Sequence, residues 1–113
     1  VLSFARLVEP DDLVEGKWHA RAVESSLASS GKRRVNIDMG YLDLHKVVLA
    51  SFKERGNKVY LGRGVWADMT LFFRRGGVEA LPWSFPDFKA GLYDRDLVEM
   101  RKIYKEQLQR LRS

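Results

Sequence analysis

Val65-Trp66-Ala67-Asp68-Met69-Thr70-Leu71-Phe72-Phe73 is the stretch whose period decides the fold. Val65, Ala67, Met69, Leu71 and Phe73 fall on one side of an extended chain, and Trp66, Asp68, Thr70 and Phe72 on the other. Arg75-Gly76-Gly77 reads as a hairpin turn into a strand over residues 78–81. Upstream, Gly62-Arg63-Gly64 is a tight connection to a strand over residues 58–61, preceded by a loop at Glu54-Arg55-Gly56-Asn57. Period two also runs through residues 34–38: Val35 and Ile37 point one way, and Arg34, Asn36 and Asp38 the other. Met39-Gly40-Tyr41 is expected to turn the chain, and Val47-Val48-Leu49 to form a strand after a turn at residues 43–46.

Helices flank these strands. Residues 1–8 suit a short strand, after which Glu9-Pro10-Asp11-Asp12 opens a helix, because proline is tolerated in a first turn and acids there complement the helix dipole. Leu13, Gly16, Ala20, Val23 and Leu27 form its apolar face, and Gly31 suits the left-handed position that ends it. Asp96 with Glu99 resembles a capping box, followed by an apolar stripe of Leu97, Met100, Tyr104, Leu108 and Leu111. Pro82 and Pro86 bracket Trp83 and Phe85 in a segment that cannot belong to a central strand and that locks a loop onto the core, with Asp87 as its anchor. The expected fold is α+β: a mainly antiparallel β-sheet with a helix from the N-terminal half and a C-terminal helix packed on it. Residues 1–113 read as a single domain.

Composition narrows the function classes. Hydrophobic residues at 45% and charged residues at 31% place the chain among folded globular proteins. It has no apolar run of membrane-spanning length, so no membrane role is expected. Zero cysteines exclude a disulfide framework and thiolate metal ligation, and agree with a cytoplasmic location. Two histidines, His19 and His45, are too few for a histidine-rich metal site; neither has a partner visible in the sequence for acid–base work. The net charge of +5 is concentrated in residues 32–75, where ten basic and four acidic side chains give +6. Such a field favours an anionic partner, although solvated surface charge produces the same pattern.

Seven residues stand out as candidate ligand contacts: Arg34, Asn36, Asp38, Lys53, Lys58, Arg63 and Asp68. If the strands carrying Asn36, Asp38 and Asp68 were neighbours, two carboxylates and an amide would meet on one sheet face, able to orient a ligand or divide acid and base roles. Against this, Asp38 suits a turn and Asp68 an arginine pair. Arg63 tips a glycine-flanked loop that allows close backbone approach, yet the loop lacks the Lys-Ser/Thr ending of a P-loop. Lys32, Arg33 and Arg34 form a basic triplet that, with Lys53 or Lys58, could clamp an anion.

These motifs also carry a resemblance. Arg34-Val35-Asn36-Ile37-Asp38 with Gly40-Tyr41-Leu42, then Val48-Leu49-Ala50-Ser51 and Lys53, Val59-Tyr60-Leu61-Gly62 and Gly64, Thr70-Leu71, and Trp83 with Pro86-Asp87 resemble a bacterial family known as domain of unknown function 4416. Its members are sometimes labelled GTP-binding, though this chain has no Walker or guanine-specific motif. The resemblance implies a longer family member of which this chain is the C-terminal part. The chain departs from the family pattern at Met39 (commonly proline), Asn57-Lys58 (a His-Arg pair), Asp68 (glutamate) and near Arg21 (asparagine). The missing histidine removes the acid–base group that inherited catalysis would use. The expected function is binding of a nucleotide or other phosphorylated anion; RNA binding by the basic surface and exposed aromatics, and a role as an oligomeric partner without ligand, are the alternatives.

Overall fold

The alternating stretch becomes a ten-residue strand, β4 (Val65–Arg74), in a computed structural model that describes residues 1–32 and 34–112. Before it come α1 (Asp12–Ser26), β1 (Gly40–Leu42), β2 (Lys46–Ser51) and β3 (Lys58–Gly62). After it come β5 (Gly77–Ala80), α2 (Pro86–Lys89) and α3 (Asp94–Arg112). The strands form one sheet in the order β1-β2-β4-β3, with β5 also paired to β4. The length of β4 makes this possible: β3 pairs antiparallel with residues 65–68 and β5 with residues 71–74. β1 and β2 are antiparallel as well, since the Ala50 N–H donates to the Met39 carbonyl at 2.8 Å and the Asp43 N–H to the Lys46 carbonyl at 3.0 Å. Strands alternating with short turns and flanked by helices thus give the α+β fold that the sequence predicts. Four successive buried residues, Val47 to Ala50, mean that both faces of β2 are covered.

The chain divides into two compact units, one of Val1–Leu7, Leu42–Val48 and Met69–Ser113, the other of Val8–Tyr41 and Leu49–Asp68. In the first, Val47, Val48, Leu71 and Leu97 are the buried apolar residues. Of the expected stripe on α3, Leu97 is buried, Met100, Tyr104 and Leu108 are half-buried, and Leu111 is exposed. The aromatic loop is locked down as expected: Trp83 Nε1 donates to the Met69 carbonyl at 2.6 Å, and Ser84 Oγ donates to the Thr70 carbonyl. Asp87 anchors it by accepting from the Tyr93 hydroxyl at 2.6 Å and the Phe88 N–H at 3.0 Å. Pro86 starts the short helix α2, where an extended segment was expected. α3 begins at Asp94, two residues before the expected capping box, with the Asp94 N–H bonded to the Gly91 carbonyl.

In the second unit Leu13, Ala20, Leu49, Ala50 and Val65 are buried. α1 appears where the Pro10 signal places it, but it stops at Ser26 with Leu27 as its cap. Gly31 instead shares a two-residue reverse turn with Ser30, closed by reciprocal Ser29–Lys32 backbone bonds of 3.0 Å. Residues 35–38 are not a strand. The Ile37 N–H is taken by the Glu24 carboxylate at 2.9 Å, so the backbone there has a side-chain partner instead of a strand. The chain joins the sheet only at Gly40, and the turn falls at residues 43–45, where Asp43 Oδ1 accepts from the His45 and Lys46 N–H groups at 2.7 and 2.9 Å. Residues 1–8, also expected to be a strand, form none; Leu2 and Phe4 stand exposed, because alternation without a pairing neighbour does not make a strand.

Glu24 is the buried charged residue of this unit, at 5% exposure, and its acceptor oxygen replaces a strand bond. Glu24→Ala is expected to lower unfolding free energy in urea by about 1–3 kcal/mol, the cost of leaving a shielded N–H unpaired. Glu24→Gln keeps an acceptor and should cost less than half of that; an equal loss would mean that charge, not the hydrogen bond, matters.

Candidate functional site

The β3–β4 hairpin is the frame of the candidate site. Its turn carries Arg63 at φ 52° and Gly64 at φ 78°, a pair of left-handed conformations that matches the twist of the two strands. Gly64 takes this conformation without steric cost, and its N–H donates to the Tyr60 hydroxyl at 3.1 Å. Lys58, Val59 and Tyr60 pair with Asp68, Ala67 and Trp66, and the register shifts between Tyr60 and Gly62, which pairs with Val65.

Lys58 Nζ donates to Ser51 Oγ at 3.1 Å and to the Lys53 carbonyl at 3.4 Å, so the end of β2 and the start of β3 meet at this ammonium. Asp68 accepts from Asn57 Nδ2 at 3.4 Å. Burial pushes the Asp68 carboxyl above its ordinary range, while Lys58 and Arg55 act in the opposite sense. Its electrostatic neighbours are therefore cations. The premise for a carboxylate pair of Asp38 and Asp68, two neighbouring strands, is not met: Asp38 stands exposed on the irregular segment before β1.

The seven candidate residues separate into three places. Lys53, Lys58 and Asp68 are brought together at the open end of the β3–β4 hairpin. Arg34, Asn36 and Asp38 lie exposed along residues 34–38; Arg33 of the basic triplet lies outside the described residues. Arg63 is at the hairpin tip, where Nη1 donates to Glu15 Oε2 at 2.8 Å and its carbonyl accepts from Trp18 Nε1 at 3.0 Å. With side chains 61% and 78% exposed, the Arg63–Glu15 pair contributes at most about 1 kcal/mol, so it does not hold the guanidinium against a competing anion. His45 is exposed in the β1–β2 turn, where its backbone, not its ring, makes the recorded contacts.

A second feature was not anticipated. The Trp18 and Phe52 rings meet at 4.8 Å, and two cations from α1 lie over them: Lys17 Nζ is 5.3 Å from the Phe52 centroid, and the Arg21 guanidinium is 4.9 Å from Phe52 and 5.9 Å from Trp18. Each contact of this kind is worth about 0.5–1 kcal/mol at an exposed position. The signal was present as spacing: Lys17, Trp18 and Arg21 recur at i, i+1 and i+4 on one helix face. Phe52 immediately precedes Lys53 in the sequence. Among the described residues, no group of three His, Cys, Asp or Glu side chains could hold a metal ion.

The model of a family described as a domain of unknown function, DUF4416, matches residues 1–104. The chain belongs to that family. No curated protein and no solved structure matches it. Among the described residues, no helix is long and apolar enough to cross a membrane.

Two aspartates should give opposite pH responses. At Asp43, burial is the largest influence and acts upward, but the Lys46 ammonium at 2.7 Å and the His45 and Lys46 N–H groups outweigh it, and the carboxyl is held below its usual value of 3.8. It therefore contributes stability above the unfolded-chain value, and that contribution is lost as pH falls through the depressed folded value. Asp68 is raised, so the folded chain holds its proton more tightly, and stability is lost as pH rises from 3.8 through the raised folded value. Melting curves between about pH 3 and 7 should show Asp43→Asn below wild type at neutral pH, with the gap closing on acidification. Asp68→Asn should gain on wild type as pH rises; parallel curves for the two variants would contradict this assignment.

Proposed function

We propose that this chain is a cytoplasmic binding domain for a nucleotide or other phosphorylated anion, held on the open surface of the unit formed by residues 8–41 and 49–68. The observation that carries this reading is the aromatic pair Trp18 and Phe52, covered by Lys17 and Arg21, in the same unit where Lys58 bonds the Lys53 carbonyl. A phosphoryl group needs concentrated positive charge and N–H donors; a base needs a flat apolar partner. Lys53, Lys58, Lys17 and Arg21 supply the first, and Trp18, half-open to solvent at 37%, supplies the second. Arg63 can swing from its solvent-screened partner to a ligand. Arg34, Asn36 and Asp38, exposed before β1, would contact a ligand that extends beyond the hairpin. Asp68 lies opposite Lys58 in register, where the positive charge of Lys58 favours its carboxylate.

A second reading, single-stranded RNA, is favoured by Tyr60, 54% exposed, and Trp66, which form another aromatic pair in this unit with centroids 4.9 Å apart. Salt separates the two. A polymer neutralising several phosphates loses orders of magnitude in affinity between about 50 and 200 mM salt, whereas a mononucleotide loses far less.

Titration of the protein with ATP and GTP, followed by tryptophan fluorescence, should give saturable quenching. Lys58→Ala and Arg21→Ala should each weaken it by about tenfold, the usual worth of a charge-assisted contact. Quenching absent at every concentration, or unchanged in both variants, would overturn the proposal. Tight binding to an oligouridylate with a steep salt slope, and none to mononucleotides, would replace it with the RNA reading.

A further inference from the structure

A cavity of about 210 Å³ lies in the other unit, lined by Phe73, Arg74, Gly76, Gly77, Val98 and Arg101. Its walls come from the β4–β5 turn and one face of α3, and its lining is cationic, apolar or without a side chain. No acid lines it. Arg101 is the best-placed group. Its Nε donates to the Leu44 carbonyl at 2.7 Å, and its guanidinium lies 5.7 Å from the Phe73 centroid. That backbone bond uses one edge of the guanidinium and leaves the two terminal nitrogens, and among the described residues no carboxylate forms an ion pair with them. An arginine oriented by one hydrogen bond, with its fork open to a cavity, is set up to take an oxyanion with little loss of side-chain entropy.

The remaining lining fits the same chemistry. Arg74 bonds Glu79 Oε2 at 2.7 Å in a solvent-exposed pair and lies over the Phe72 ring, so a second guanidinium borders the cavity. Gly76 has φ 78° and Gly77 has open space where a Cβ would project, so an anion can approach the turn's backbone closely. Phe73 and Val98 add an apolar wall. The volume is below the roughly 300–1,000 Å³ of pockets that enclose drug-sized ligands, so a whole nucleotide does not fit inside.

We infer that this cavity is a binding site for the phosphate group of a small phosphomonoester, held between Arg101 and Arg74 over the Gly76-Gly77 turn. Two guanidiniums suit a tetrahedral dianion with three terminal oxygens better than a planar carboxylate, which a single fork satisfies. The inference does not rest on the nucleotide reading, since no residue is shared between the two surfaces.

The test is an NMR titration of the full chain with inorganic phosphate and with glycerol 3-phosphate. Saturable shifts are expected at the Gly76 and Gly77 amides and at Arg101 Nε–H, with the ester binding more tightly because its carbon skeleton meets Phe73 and Val98. Arg101→Lys keeps the charge and a donor for Leu44 but loses the fork, and should weaken binding about tenfold or more. Gly77→Val keeps every charge, fills open space beside the turn and should also abolish saturation; it serves if Arg101→Lys proves unstable. Lys105→Met, a change to a cation outside the lining, should leave binding unchanged. Non-saturating shifts spread over all surface cations, or saturation unaffected by both cavity variants, would overturn the inference. Shifts confined to Lys53, Lys58 and Arg21 would overturn it while supporting the nucleotide surface.

Discussion

β4 presents hydrogen-bonding groups along both edges, and Val65 and Leu71 within it are wholly shielded from solvent. Its register with β3 puts Lys58 against Asp68; its register with β5 puts Arg74 at the turn that borders the cavity. The Phe73 N–H reaches the His45 carbonyl at 2.8 Å on the β2 side. Burying one side chain of the size of Leu71 contributes about 1.5–3 kcal/mol, so this strand is where the sheet has most to lose. Both candidate surfaces are placed by the same backbone.

The strands whose period survives in sequence are those whose partners are close in the chain. β3, β4 and β5 are joined by two-residue turns marked by glycine, and all three are where alternation puts them. Residues 34–38 show the same alternation and yet are not a strand. A distant carboxylate, Glu24, takes the Ile37 N–H, and no local pattern reports that contact. The opposite error occurs at residues 39–41, where Gly40 suggests a turn but the Asx-type turn lies at Asp43.

For the candidate site, charge type was legible and geometry was not. Lys53 and Lys58 fall within the cation-rich residues 32–75, and the structure joins them through Ser51 and the Lys53 carbonyl. The expected meeting of Asp38 with Asp68 presupposes two neighbouring strands, and residues 35–38 are not a strand. The Lys17–Trp18–Arg21 cluster lies off the apolar residues that mark α1 in sequence, so hydrophobic periodicity does not report it. In sequence Arg101 is one cation among several on the terminal helix. What distinguishes it is its bond to Leu44, 57 residues away in sequence, which cannot be read from spacing.

Native-state hydrogen exchange at the β4 amides tests most directly whether this strand supports the rest. Leu71 and Phe73 N–H groups should exchange only through global unfolding, with a free energy equal to that from urea denaturation, while residues 1–8 exchange freely. If the β4 amides instead open with a free energy well below the global value, while the helices stay protected, the strand is not the element on which the structure depends.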